Sequence, residues 1–412
     1  MRLFARAFLL LILVVPGILS GQNTMSPYSI FGPGELQPKG FGRTAGMGHA
    51  GIALASDSRL NNLNPASYTG IDSLHFILEI GVNGKYSGFK SQGNTLSGFN
   101  ANLAYLAMGF RITNWWANSI GISPFSHVGY DITSLKYVQG SDLRYSVQYK
   151  GSGGITLAYW TNSWHLTKNL SVGLNTSYIF GPLTQEEYVS QSELSAAYIL
   201  TRNDYFKTVY LDYGALYQFK IKKLDVALGA VYAQSQNLIS GFSSTLQNSS
   251  LSTMDSQEGK QSKRKLPETL GGGLSFGNDR FTAALDYKVQ KWAGLSYPTM
   301  KGVFRDAHNY SAGIDVRPWR SRVANKFFQN WNYRTGFHYY STYLKINEQP
   351  INGYGLTLGI GIPLRNQFSQ INFSVEAGKQ GTTNSGMIRE RYIMGHLNFT
   401  VNELWFIGKT FY

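Results

Sequence analysis

Along most of the chain, apolar and polar residues take turns. Leu74, Phe76, Leu78, Ile80 and Val82 fall on one face of an extended segment. Phe281, Ala283, Leu285, Tyr287 and Val289 do the same, with Thr282, Asp286, Lys288 and Gln290 opposite them. Ile371, Phe373, Val375 and Ala377 interleave with Asn372, Ser374 and Glu376, and an apolar face runs from Val209 through Tyr213 and Tyr217 to Ile221. A period of two, rich in aromatic and β-branched residues, predicts strands. Fourteen such segments begin near residues 73, 99, 116, 144, 168, 205, 224, 267, 280, 307, 330, 351, 369 and 389. Many reach the roughly 10 residues that cross a bilayer when tilted.

The connections sort by parity. Those after even strands are short, around Thr113-Asn114, Asn162-Ser163, Lys222-Lys223, Asn278-Asp279 and Arg365-Asn366; Pro318 to Asn325 is the longer exception. Those after odd strands are mostly long, including Thr184 to Asp204 and the Ser-rich stretch from Ser240 to Lys265. Short turns at one end and long loops at the other are the habit of outer-membrane barrels, not of sandwiches or propellers. Trp115, Trp116, Trp160, Trp164, Trp319, Trp331 and Trp405 fall at or near the short-turn end, and Trp292 near the other. Amphipathic rings gather at membrane interfaces, so these residues predict an aromatic girdle.

The pattern breaks in two places near the N-terminus. Residues 1–21 carry Arg2 and Arg6, an apolar run from Phe8 to Val15, and small residues at Ser20 and Gly21. That is the layout of a secretory signal peptide, and the run is shorter than the roughly 20 residues of a spanning helix. Residues 22–72 hold four prolines (Pro27, Pro33, Pro38, Pro65) and eight glycines, which sustain neither a long helix nor a central strand. Yet Tyr28, Ile30, Phe31, Met47, Ile52 and Leu54 call for burial, so this segment is expected to pack as a non-repetitive plug. Residues 73–412 then form the barrel.

Composition narrows the chemistry. The 412 residues include no cysteine, which excludes disulfide scaffolds, thiolate metal sites and a lipoprotein anchor. Charged residues make up 15% of the chain, below the usual quarter or so, and the formal net charge is +14. The run Lys260, Lys263, Arg264 and Lys265 is placed in a long loop, where it is either solvated or draws carboxylates and phosphates, including lipid phosphates. Gln185 to Leu200 is read as a short loop helix. Nucleic acid is not an expected partner of an exported barrel.

Few motifs point to catalysis. Gly46-Met47-Gly48-His49-Ala50-Gly51 matches G-x-G-x-x-G, but a dinucleotide fold needs a strand before it and a helix after it. Prolines and glycines precede it and Asn61 to Pro65 follow, so Gly46, Gly48 and Gly51 are read as close-packing positions of the plug. The histidines (His49, His75, His127, His165, His308, His338, His396) show no ligand spacing, so no metal or cofactor is expected and lumen-lining or exposed positions are. There is no G-x-S-x-G elbow, and a hidden triad in a barrel lipase is the minor alternative to a non-enzymatic barrel.

Ser26-Pro27-Tyr28-Ser29, Gly46-Met47-Gly48 and Asn64-Pro65-Ala66-Ser67 resemble the N-terminal hatch of the long-chain fatty acid transporter (FadL/TodX-type) family. Gly378-Lys379-Gln380-Gly381-Thr382, Ile388-Arg389-Glu390-Arg391-Tyr392 and Trp405-Phe406-Ile407 resemble the versions found in gliding-type Gram-negative bacteria. The resemblance covers about 50 residues at one end and 35 at the other. It implies a transmembrane antiparallel β-barrel of about 14 strands in the outer membrane, with an N-terminal hatch plugging the lumen. Lipopolysaccharide and outer-membrane lipids would surround it. It further implies uptake of hydrophobic, fatty-acid-like molecules, with Gly46, Gly48, Gly51, Asn64, Pro65 and Ala66 as hatch or gating positions. Asn64 before Pro65 would fix the backbone where the hatch enters the first strand. The terminal Lys409-Thr410-Phe411-Tyr412 has the final aromatic of a barrel assembly signal without clean alternation before it. No fatty-acid-contacting loop residue carries over. Some barrels of this family dock proteins in type IX secretion, which makes a surface-complex subunit the main rival reading.

Overall fold

The computed structural model describes residues 26–405, apart from 92, 138–139, 141, 143, 191–196, 249, 296, 298–302, 319–326, 347 and 365–367. The expected signal peptide, Trp319, Phe406-Ile407 and the terminal Lys409 to Tyr412 lie outside the described residues. The first strands are β1 (Glu35–Leu36), β2 (His75–Ser91), β3 (Asn94–Thr113), β4 (Trp116–His127), β5 (Tyr130–Tyr137), β6 (Arg144–His165) and β7 (Leu170–Ser190). Then come β8 (Tyr198–Ile221), β9 (Leu224–Ala233), β10 (Gln236–Asn248), β11 (Thr253–Leu266), β12 (Glu268–Gly277) and β13 (Phe281–Lys291). The last are β14 (Val303–Phe304), β15 (Ala307–Val316), β16 (Asn332–Ile346), β17 (Gln349–Pro363), β18 (Gln370–Gln380) and β19 (Arg389–Leu404).

These runs make a closed antiparallel barrel of 14 staves. β4 with β5, β9 with β10, and β11 with β12 each form one interrupted stave, β14 adds two residues beside β16, and β1 belongs to the N-terminal segment. Pairing of β19 with β2, from Arg389 opposite Lys90 to Leu404 opposite His75, closes the sheet into a ring. The expected strand starts therefore stand.

Alternation places the two faces. In β17, Tyr354, Leu356 and Leu358 point outward while Gly355, Thr357 and Gly359 are buried. Leu358 is 68% exposed and its neighbour Thr357 1%, the contrast expected where one face meets lipid and the other a packed lumen. Ion-paired carboxylates such as Asp204, Asp315, Glu376 and Glu390 are all buried inside.

The loops differ from expectation. Ser240 to Lys265 is not a loop: β10 and β11 pair from Gln236–Leu266 up to Gln247–Thr253. The basic run lies on β11, where Lys263 and Lys265 are exposed and Arg264 is buried at 3.2 Å from Asp204. The residues described within 185–200 are strand, not helix. β8 has 24 residues, where about 10 suffice to span, so the long connections are strands continuing past the bilayer as hairpins. A Ser/Thr-rich stretch reads as loop by composition, but a partner ladder satisfies its backbone as a strand does. Only two residues separate β2 from β3 and β16 from β17, so the expected long connections fail there too.

Among the described tryptophans, Trp115, Trp116, Trp164, Trp331 and Trp405 sit at the short-turn end, with Trp160 one turn of alternation inside. Trp292 is fully buried at the opposite end, stacked on Tyr343 at 4.3 Å in a cluster with Tyr28, Tyr297, Phe304 and Met387.

Candidate functional site

Residues 26–72 lie within the barrel, because they meet its inner face all the way round. A Cβ on Gly173 or Gly214 would strike Pro65 or Asn64, one on Gly229 would strike Ile52, and one on Gly313 or Gly336 would strike Met47. Five staves thus carry notches in which backbone packs on backbone, the use glycine has in a strand interior. Phe41, Leu60, Tyr68 and Ile71 share a core with Ile77, Tyr105, Ile155 and Tyr159 of the wall.

Polar atoms complete the attachment. Asp286 Oδ2 accepts from the amides of Gly51 at 2.6 Å and Ile52 at 2.9 Å. Glu79 accepts from the Leu60 amide at 2.8 Å. Thr357 Oγ1 accepts from the Gly48 amide and donates to the Gly46 carbonyl. Lys39 pairs with Asp212 at 3.0 Å, and Arg43 and Arg59 both reach Asp315, at 3.0 and 3.8 Å. Tyr28 donates to the Ile388 carbonyl, and burial pushes its hydroxyl up to about 12, so it stays a donor.

The residues singled out from sequence all fall in this attachment. Gly48 has φ +63, a conformation suited to glycine, and packs on the Phe337 backbone. Asn64 caps the short 3-10 turn Pro65–Gly70 by accepting from the Ala66 amide, and its side-chain NH₂ donates to the Ile52 and Ala215 carbonyls. Pro65, restricted in φ, starts that turn, and its carbonyl accepts from Ser163 Oγ. Gly46 to Gly51 follows a four-residue helix and no strand, so it has no dinucleotide-fold context. Sequence reasoning gives the wall carboxylates Asp286, Asp315 and Glu79 no role; glycines inside strands, such as Gly214 and Gly336, are the signal that could have pointed to a close approach there.

Between the segment and the wall lies a cavity of about 370 Å³, lined by aromatic and aliphatic groups together with Glu35, Lys39, Lys85, Asp212, Lys288 and Glu376. It reaches Ala104, Tyr105, Ser123, Pro124 and Phe125, where the wall is breached. β3 pairs with β4 only from Leu106–Ile122 downward, and its residues 94–105 pair with β2 alone among the described residues. β4 shifts register at Pro124, then gives Ser126 and His127 to Leu36 and Glu35 of β1. β5 pairs with β6 alone among the described residues. The third stave therefore turns onto the lumenal segment and leaves two unpaired edges facing each other. Leu96, Phe99 and Leu103 are exposed along one, and Leu135 and Tyr137 along the other.

Histidines that spacing leaves scattered converge in part. His49 Nε2 lies 3.3 Å and His338 Nε2 3.6 Å from Glu376, and the His396 ring centroid is 6.1 Å from that of His49.

Residues 4–411 match the family model described as BamG. The chain belongs to the BamG family. No curated protein matches it. This BamG-family barrel is similar to the CymD monoaromatic hydrocarbon channel, with a TM-score of 0.57 and 16% identity over 90% of this chain and 98% of that one. It is similar to the toluene transporter TbuX of Ralstonia pickettii at 0.59 and 16%, over 88% and 98%. A Pseudomonas aeruginosa FadL homologue gives 0.61 and 12%, over 90% and 100%. At such identities the likeness is one of fold: this BamG-family chain is a FadL/TodX-type barrel that crosses the outer membrane with its strands.

Proposed function

We propose that this barrel takes up hydrophobic small molecules, long-chain fatty acids among them, through a lumen gated by residues 22–72 acting as a hatch. The observation that carries this is the breach beside β3. The internal cavity reaches it, and Leu96, Phe99, Leu103, Leu135 and Tyr137 are exposed along its rims. An apolar molecule held in the cavity leaves water at a gain of about 0.8 kcal/mol per CH₂, and a sideways exit spares it the aqueous side. Barrels of the same fold are named for monoaromatic hydrocarbons and toluene, which supports the ligand class.

The absence of cysteine makes a clean test. Ala104→Cys places one thiol where the cavity meets the breach. Labelling it with a bulky maleimide is expected to cut uptake of a radiolabelled fatty acid or toluene at least fivefold, and labelling Asn248→Cys, at a hairpin end, to leave it unchanged. Equal uptake from both labelled forms would end the proposal.

The second reading is a docking subunit of a type IX secretion or other surface complex. It is favoured by the dense attachment of residues 26–72, since a plug held by Asp212, Asp286, Asp315, Glu79 and Thr357 suits a fixed scaffold. Native mass spectrometry of protein extracted gently from its own membrane separates the two: apolar adducts on a bare barrel mean uptake, and a stoichiometric protein partner means docking.

A further inference from the structure

We propose that His49, Glu376 and His396 bind a divalent transition-metal ion of the zinc class, tying the lumenal segment to the barrel wall. The three residues come from remote parts of the chain: His49 follows Gly48 in the segment, Glu376 sits on β18 and His396 on β19. One donor atom from each lies within 4.8 Å of the others. A tetrahedral ion with bonds of about 2.0–2.2 Å needs donors some 3.3 Å apart, a spacing His49 and Glu376 already have at 3.3 Å. His396 closes the set with a side-chain adjustment of up to about 1.5 Å.

Three further features favour a cation here. First, His396 Nε2 is buried without a hydrogen-bond partner, a cost that a bound ion would remove. Imidazole lone pairs facing a carboxylate are the donor set that zinc and its neighbours take, and hard cations such as magnesium do not. Second, the surroundings look like a support shell. Tyr392 donates to Glu376 Oε1 at 2.8 Å, which orients the carboxylate and leaves Oε2 toward His49. Third, Gly355 keeps a side chain out of this corner: a Cβ there would lie 2.5 Å from the His338 ring and 3.1 Å from Glu376 Oε1. The cluster lines the internal cavity, so an ion has a way in. Because one ligand belongs to the segment and two to the wall, the bound ion would hold the segment in place whatever passes through the barrel.

The test uses the full chain, extracted without a histidine tag and stripped with chelator. Zn²⁺ is titrated by calorimetry and Co²⁺ by visible absorption. Expected are one ion per chain, Co²⁺ bands of nitrogen–oxygen ligation, and slower protease cleavage within residues 26–72 once Zn²⁺ is added. His396→Ala and Glu376→Gln should each weaken binding at least tenfold and abolish the protection. His308→Ala, whose ring contacts Tyr287 on other strands, should change neither. Absence of saturable binding in the unmodified protein, or undiminished binding in both folded variants, overturns the proposal. If a variant fails to assemble, the unmodified protein decides: a Co²⁺ spectrum without ligand-field bands overturns it.

Discussion

The barrel wall and the segment inside it are held by different means. In the wall each residue repeats its neighbour-but-one, and the ladder between strands satisfies the backbone whatever the side chain. The outward face asks only for apolar character, as Leu356, Leu358 and Phe373 show. Residues 26–72 have hardly any ladder, two residues of β1 excepted, and rely on individual atoms. Asp286 holds two amides, Thr357 holds Gly48 and Gly46, and five wall glycines leave the space into which backbone fits. A repetitive structure spreads its stability over many equal contacts, whereas a plug concentrates it in a few.

The largest break in this comparison should come from Gly336→Ala. The added Cβ would lie 2.1 Å from the Gly48 amide nitrogen and the Met47 carbonyl carbon, backbone atoms that cannot rotate away. Overpacking of this severity should cost about 3 kcal/mol or more, all of it at the segment. Limited proteolysis should show residues 26–72 cut rapidly, while heat-modifiable gel mobility reports an intact barrel. Loss of the barrel as well would mean that wall and plug fold as one unit.

Asp286→Ala is expected to cost less, about 2–3 kcal/mol, by removing a charged acceptor from the amides of Gly51 and Ile52. The same protease assay should place it between Gly336→Ala and the unmodified protein. Asn64→Ala follows at about 1–2 kcal/mol, the usual cost of a lost cap, here with the bonds to Ile52 and Ala215 added. Uptake should weaken while barrel assembly persists; unchanged ligand uptake would remove Asn64 from the gating reading.

The same contrast explains what the sequence made legible. Period two survives translation into structure because each strand obeys it locally, so the fourteen starts could be placed from Leu74 to Arg389. Composition misled where local preference and ladder disagree: Ser240 to Asn248 is rich in Ser, yet pairs with β8 and β11 on either side. In the segment, Asn64 before Pro65 was readable as a fixed stretch of backbone at the entry to the first strand, and not as a cap. Its second partner, Ala215, lies 151 residues away, and His49 and Glu376 are 327 apart. No spacing rule reaches such distances. Gly173, Gly214 and Gly336, glycines within strands, carry a signal of close approach that the alternation pattern leaves unused.

The finest test compares two adjacent residues of β17 on opposite faces. Thr357→Val keeps volume and branching and removes only the hydroxyl, leaving the Gly48 amide without its acceptor and the Gly46 carbonyl without its donor. That should cost about 1 kcal/mol and appear solely as faster cleavage within residues 26–72. Leu358→Val removes one methylene from a mostly exposed side chain on the outer face, and should stay within about 0.5 kcal/mol. If both substitutions speed cleavage equally, the segment is responding to the stiffness of the strand. If only Thr357→Val does, single atoms on the inner face hold the plug, and the outer face serves the membrane alone.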